Sequence, residues 1–257
     1  MSRQRRWRWP TVACVLDLEQ LHEFAERGFV VVPQAVSQEL VAAASGVIDE
    51  LIEVRPPGLG VRGPHNYFPE SVQAPALLAL LMDSPAFALA EGLTGPGTLE
   101  VPWQVQVALN IPAFPHRPGM HHIDGAPAEA DGRPGTFTLL AGVLMSDQLD
   151  EDAGNLWVWP GTHLRHAEYF REHGPDAFFD AGGYPPIQLP EPEQIRGRAG
   201  DLLLAHYLLG HNIGGNTSAA TRRAVYFRVK RFGHNPRWRE FLQDPWLDYD
   251  AVRAVLT

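Results

Sequence analysis

The chain has one cysteine, Cys14, and one lysine, Lys230, in 257 residues. A single thiol excludes an internal disulfide framework and a cysteine-built zinc site. Lys230 sits in neither a phosphate-loop nor a Schiff-base context, so both of those chemistries are nearly excluded. No apolar run approaches the roughly 18 residues that a membrane span needs. The opening "MSRQRRWRWP" is basic with no apolar stretch behind it, so it reads as a frayed tail over residues 1–16, not a secretory signal. These absences lead us to expect a cytoplasmic protein with no membrane partner. Net charge is −9 despite Arg3, Arg5, Arg6 and Arg8, and an acidic body is a poor partner for nucleic acid.

What is present is an ordinary globular composition, 45% hydrophobic and 20% charged, that can fill a core of its own. The spacing predicts helices over 17–27, stopped by Gly28, and over 37–54, with Ser37 as N-cap. Leu40 stands where a capping box would need Glu or Gln. "FVVVP" reads as a short strand, and 74–94 as one or two short helices broken at "DSP". From Thr98 onward the texture is of strands: 101–110, 136–148, 154–160, 201–213 and 222–232, followed by a helical end from Pro236. The expected fold is mainly β with flanking α-helices, a sandwich or jelly roll carrying a helical layer, as a single domain over 17–257. "GLGVRG" at 58–63 matches a dinucleotide-binding pattern but has no strand before it and no helix after it, so it reads as a loop.

"GMHHIDG", 119–125, puts two histidines ahead of an acid. Residues i and i+2 of an extended segment point the same way, so His122 and Asp124 can converge on one ion while His121 faces away. Two histidines and a carboxylate on one face of an octahedron leave three positions open, the arrangement of non-haem Fe(II) oxygenases. "GDLLLAHYLLGHNIGGNTS" offers two candidates for the distal histidine, His206 and His211, and "TRRAV" two arginines, Arg222 and Arg223. Strand parity does not separate the arginines, because Val225, Phe227 and Val229 share the face of Arg223. His163 reads as a turn histidine with a packing role, His65 and His116 as loop residues, and His121 as a neighbour or structural partner of the ligands. In the alternating strand at 101–110, Trp103, Val105, Val107 and Leu109 form one face. The other carries Gln104, Gln106 and Asn110, which suits either a wet cavity or solvent.

Four pieces in order, His122–Asp124, "GNLWVWPGTH" at 154–163, "GDLLLAH…HNIGGNTS" at 201–218 and "RRAVYFRV" at 222–229, resemble the phytanoyl-CoA dioxygenase (PhyH-like) family of Fe(II)/2-oxoglutarate-dependent oxygenases. The resemblance spans roughly residues 17 to 232. It implies a distorted double-stranded β-helix with iron in its mouth. It also implies His122, Asp124 and His211 as both metal ligands and catalytic residues, and Arg222 as the partner of the distal carboxylate of 2-oxoglutarate. Gln104 matches the cosubstrate region. The family's aromatic about eighteen residues after the first ligand is Leu140 here, and Thr138 is the residue that would compensate.

The reaction so implied consumes dioxygen and 2-oxoglutarate, releases succinate and carbon dioxide, and hydroxylates a substrate C–H bond, with desaturation or cyclisation as further outcomes. Asp124 argues against halogenation, which needs that position for a halide. The rival is a metal-binding jelly roll without oxygenase activity, a cupin-like isomerase or sensor, which would need no arginine clamp. The Arg-rich, Lys-poor composition suits a GC-rich bacterial genome and specialised metabolism. The expected partner is a small molecule, bound by a monomer or homodimer.

Overall fold

The computed structural model describes residues 15–125 and 128–257, so the basic tail and Cys14 lie outside the described residues. Helix α1, Leu18–Arg27, begins at a reciprocal cap. The Asp17 carboxylate accepts the Gln20 N–H at 2.8 Å, and the Gln20 side chain accepts the Asp17 N–H at 3.0 Å. The helix ends at Gly28, whose φ of +82° suits glycine, and a Cβ there would stand 2.5 Å from His163 Nδ1. Helix α2, Gln38–Val54, is capped by Ser37, which accepts the Leu40 N–H without a return bond. Helices α3, Pro75–Met82, and α4, Ala86–Thr94, are separated at Asp83–Pro85, where Pro85 cannot supply an N–H. No single helix among the described residues is long and apolar enough to cross a membrane.

Among the described residues, nine strands follow the chain as β1 Phe29–Val32, β2 Gly63–Tyr67, β3 Gln106–Ile111, β4 Leu139–Leu144, β5 Leu156–Val158, β6 Glu193–Gln194, β7 Leu202–His206, β8 His211–Ile213 and β9 Arg222–Val229. They form a six-stranded sheet ordered β1-β7-β4-β9-β3-β2 and a three-stranded sheet ordered β6-β5-β8, with every pairing antiparallel. The sheets face each other, since Leu140 and Ala205 of the large sheet and Leu156 and Val158 of the small one line one space. This is a double-stranded β-helix. The helices complete it as α5 Thr162–His173, α6 Ala177–Ala181, α7 Trp238–Gln243 and α8 Asp250–Val255.

Both faces of the large sheet are buried. Val225, Phe227 and Val229 have no exposure, and burying a side chain of this size contributes about 1.5–3 kcal/mol. The alternate face of β9, carrying Arg222, Ala224, Tyr226 and Arg228, looks into the barrel.

Four expectations change. Residues 63–67, read as loop, form β2, an edge strand beside β3; an edge tolerates Pro64, which a central strand would not. The stretch 201–213, read as one strand, crosses between the sheets as β7 and β8 around a turn at 207–208. In the stretch 101–110 regular pairing starts only at Gln106, and Trp103, expected on the apolar face, is 70% exposed. His163 lies in the first turn of α5, fully buried, not in a loop turn.

Candidate metal centre

His122 and His211 are joined by a two-bond backbone bridge, His122 N–H to His211 O at 2.9 Å and the reverse at 3.1 Å. The bridge sets the two imidazoles side by side, with ring centroids 4.5 Å apart. Asp124, two residues on, presents Oδ1 at 3.7 Å from His122 Nε2 and 3.9 Å from His211 Nε2. All three ligand atoms lie within 4.8 Å of one another, and no other such cluster occurs among the described residues.

The protonation of the set suits a metal. His211 Nδ1 is 2.9 Å from the Leu209 carbonyl. A carbonyl only accepts, so Nδ1 carries the proton and Nε2 offers its lone pair. Burial, and then the adjacent His211, push the His122 pKa down to about 4, so this imidazole is neutral at ordinary pH. Burial pushes the Asp124 carboxyl up, but Arg228 first, then His211 and His122, outweigh it and leave the group below its usual value. The centre therefore combines the neutral His122 imidazole, a His211 ring whose Nδ1 is tied to a carbonyl, and one carboxylate.

The segment carrying His211 is itself fixed by buried histidines. His166 Nδ1 donates to the Leu208 carbonyl at 2.6 Å, and His206 Nδ1 accepts the Leu208 N–H at 2.9 Å. His206 Nε2 donates to the Pro245 carbonyl at 2.7 Å, so both of its nitrogens are engaged within the fold. His121 turns away from Asp124, as alternation predicts, and its Nε2 is 2.8 Å from His166 Nε2. Burial holds His166 and His206 neutral, each with its pKa lowered to about 3.

The two arginines of "TRRAV" separate. Arg222 is 3% exposed inside the barrel, where Nε donates to the Gly154 carbonyl at 2.6 Å and Nη1 to the Ala108 carbonyl at 3.4 Å. No carboxylate among the described residues pairs with it. Asn110 Oδ1, on the paired residue of β3, is buried without a hydrogen-bond partner. Gly154, at φ +87°, passes so close that a Cβ would lie 2.7 Å from Arg222 Cβ. Arg223 points to the opposite face and pairs with Asp49 at 2.7 Å.

Of the two expected cosubstrate residues, Thr138 is engaged elsewhere. The Thr138 hydroxyl donates to Asp248 at 2.7 Å and accepts the Arg231 N–H at 2.8 Å, which commits it to the C-terminal layer. The Gln104 amide makes no hydrogen bond among the described residues. Gln106, two residues on, accepts from Arg228 at 2.8 Å, and so a wall of the barrel interior carries the polar face of β3. His65 lies in β2 against Tyr67, and His116 stacks on Phe114, both half-buried. Leu140 forms an apolar wall beside His211 with Leu156, Val158 and Leu209.

Sequence reasoning missed Arg228, whose Nε and Nη2 both reach Asp124 Oδ2, at 3.0 and 2.9 Å. The signal was available: in "RRAVYFRV" alternation places Arg228 on the face of Arg222.

Among solved structures, the chain is similar to the α-ketoglutarate-dependent carbocyclase SnoK from nogalamycin biosynthesis, at 24% identity and TM-score 0.62, over 89% of this chain and 93% of that one. It is also similar to HygX from Streptomyces hygroscopicus with nickel and 2-oxoglutarate bound, at 19% identity and TM-score 0.59, over 84% and 87%. A third is EctD from S. alaskensis with 2-oxoglutarate and 5-hydroxyectoine, at 20% identity and TM-score 0.57, over 88% and 79%. These likenesses establish the fold. No curated protein matches the sequence. The model of the phytanoyl-CoA dioxygenase family matches residues 103–224, the stretch that holds His122, Asp124, His211 and Arg222. Over that stretch, just under half of the chain, the sequence is similar to the phytanoyl-CoA dioxygenase family.

Proposed function

We propose that this protein is a non-haem Fe(II)/2-oxoglutarate-dependent dioxygenase that hydroxylates a C–H bond of a small molecule. The observation that carries the reading is Arg222, a buried cation without a counter-charge among the described residues, in the same barrel as a two-histidine, one-carboxylate set. A buried unpaired charge is costly and calls for an anion. A guanidinium fork matches a carboxylate in shape and charge. A metal-binding jelly roll that used no carboxylate cosubstrate would have no use for this arginine.

The donor set fits Fe(II): His122, Asp124 and His211 would hold it. Iron bound there supplies the activation of dioxygen, coupled to oxidation of 2-oxoglutarate to succinate and carbon dioxide. The chain's own part is placement. Arg222 grips the far carboxylate of the cosubstrate. Leu140, Leu156, Val158 and Leu209 keep water from the side of His211. The Leu209 carbonyl holds the proton on His211 Nδ1 so that Nε2 stays free for the metal.

Hydroxylation is the default outcome, and cyclisation or epimerisation stands beside it, because a carbocyclase and the epimerase SnoN from nogalamycin biosynthesis are among the similar structures. Beyond Arg3–Arg8 the sequence carries no compact basic cluster suited to the phosphates of an acyl-CoA, which favours a smaller substrate. Bacterial specialised metabolism is the setting we favour. Anaerobic Fe(II) and 2-oxoglutarate should give a visible charge-transfer band, and air should then release succinate. A protein that binds Fe(II) but shows neither the band nor succinate is not a 2-oxoglutarate enzyme.

A further inference from the structure

A carboxylate can ligate a metal through one oxygen or through both, and the torsion that swings it is broad. In this protein the two oxygens of Asp124 are treated differently. Oδ1 faces the two imidazoles, 3.7 Å and 3.9 Å from their Nε2 atoms. Oδ2 is held from the other side by both Nε and Nη2 of Arg228, at 3.0 and 2.9 Å.

Arg228 is itself anchored. It rises from β9 opposite Leu140, its Nη1 donates to Gln106 Oε1 at 2.8 Å, and Gln106 Nε2 donates to Asn66 at 3.2 Å. The guanidinium also stands 5.8 Å from the centroid of the Phe137 ring. The Asp124 backbone is fixed separately, by the Tyr207 hydroxyl donating to its carbonyl at 2.8 Å. Arg228 is therefore not needed to place the residue, only to orient its carboxylate.

We propose that Arg228 is a positioning residue that reserves Asp124 Oδ2, restricting Asp124 to a single coordination position on the metal and so leaving the neighbouring positions to cosubstrate and oxygen. The inference rests on the metal-centre reading above. Two N–H groups on one oxygen form a charge-assisted contact, stronger than a neutral one. A second metal–oxygen bond would have to displace it. Without Arg228 the carboxylate is free to rotate and close on the ion with both oxygens, and loss of the positive charge draws it further inward. Partners of metal ligands that act in this way typically change metal affinity or activity 10–100-fold when removed.

The test counts water. Mn(II) is bound to the metal-free full chain of wild type and Arg228→Ala, and its exchangeable water ligands are counted by pulsed EPR in isotopically labelled water. Arg228→Ala should retain Mn(II) with one fewer exchangeable water than wild type. Its Mn(II) form should bind 2-oxoglutarate about tenfold or more weakly. Arg228→Met keeps the aliphatic bulk and is the arm to read if Arg228→Ala does not fold. An unchanged water count in a folded variant, or loss of Mn(II) from it, overturns the proposal. Failure of wild type itself to bind Mn(II) is a different result, which refutes the metal centre.

Discussion

Arg222→Met should move stability and cosubstrate binding in opposite directions. Methionine keeps the bulk and removes the charge. On the stability side, Arg222 donates to two carbonyls, one at 2.6 Å and one at a long 3.4 Å. Bonds to charged groups contribute about 1.5–3 kcal/mol each, and the longer one less. Against them stands the desolvation of an ion at 3% exposure, several kcal/mol, with no carboxylate among the described residues to offset it. The Gly154 carbonyl also keeps its contact from Asn110 Nδ2 at 3.4 Å. Stability should therefore hold or rise by about 1–2 kcal/mol, read as an unchanged or higher urea midpoint at constant slope. On the binding side, losing one partner of a buried charged pair costs about 2–5 kcal/mol. At about 1.36 kcal/mol per decade this is a loss of about 30-fold to about 5,000-fold in 2-oxoglutarate affinity, measured by anaerobic titration of the Fe(II) form. Arg223→Ala, on the outer face, should leave that affinity unchanged. A variant that loses 2 kcal/mol or more of stability yet binds 2-oxoglutarate like wild type would make Arg222 a strut for the Gly154 loop, and the clamp assignment would fail.

Three further outcomes are expected. His122→Ala should abolish Fe(II) binding, whereas His121→Ala should keep measurable affinity, as it turns to His166; anaerobic Fe(II) titration reads both, and the reverse pattern would shift the ligand register by one residue. Asp124→Asn should lose most succinate formation and iron content, because an amide is a poorer donor to Fe(II) than a carboxylate; full occupancy would make Asp124 a mere hydrogen-bonding neighbour. Stability should fall in acid below about pH 6.5, the usual histidine value, and go on falling toward about pH 3, because His166 and His206 are neutral in the fold and protonate when unfolded. Each contributes up to about 1.4 kcal/mol per pH unit in that window, so urea midpoints should drop between neutral pH and about pH 5, and a flat profile would refute it.

How much was legible in the sequence varies with the reach of the interaction. The stop of α1 at Gly28, the N-cap of α2, the break between α3 and α4, and the alternation that sends His122 and Asp124 one way and His121 the other depend on neighbours within four residues. Local sequence carries such information directly. The edge strand β2 was hidden because its Gly-Pro start suits a loop, and only pairing with β3 makes it a strand. The division of 201–213 into β7 and β8 was hidden too, since an apolar run looks the same whether it stays in one sheet or crosses to another.

At the centre, the pattern of residues singled out His122, Asp124 and His211, but long-range contacts decided how each one is held. Which arginine enters the barrel could not be read from parity, because helices bury the outer face of β9 as fully as the small sheet covers the inner one. The tie from Arg228 to Asp124 spans 104 positions, and the one from His166 to Leu208 spans 42. Residue type and alternation determine which donors a strand presents and to which side. The packing of one sheet on another determines which of those donors meet, since that depends on backbones far apart in the chain arriving at the same depth of the barrel.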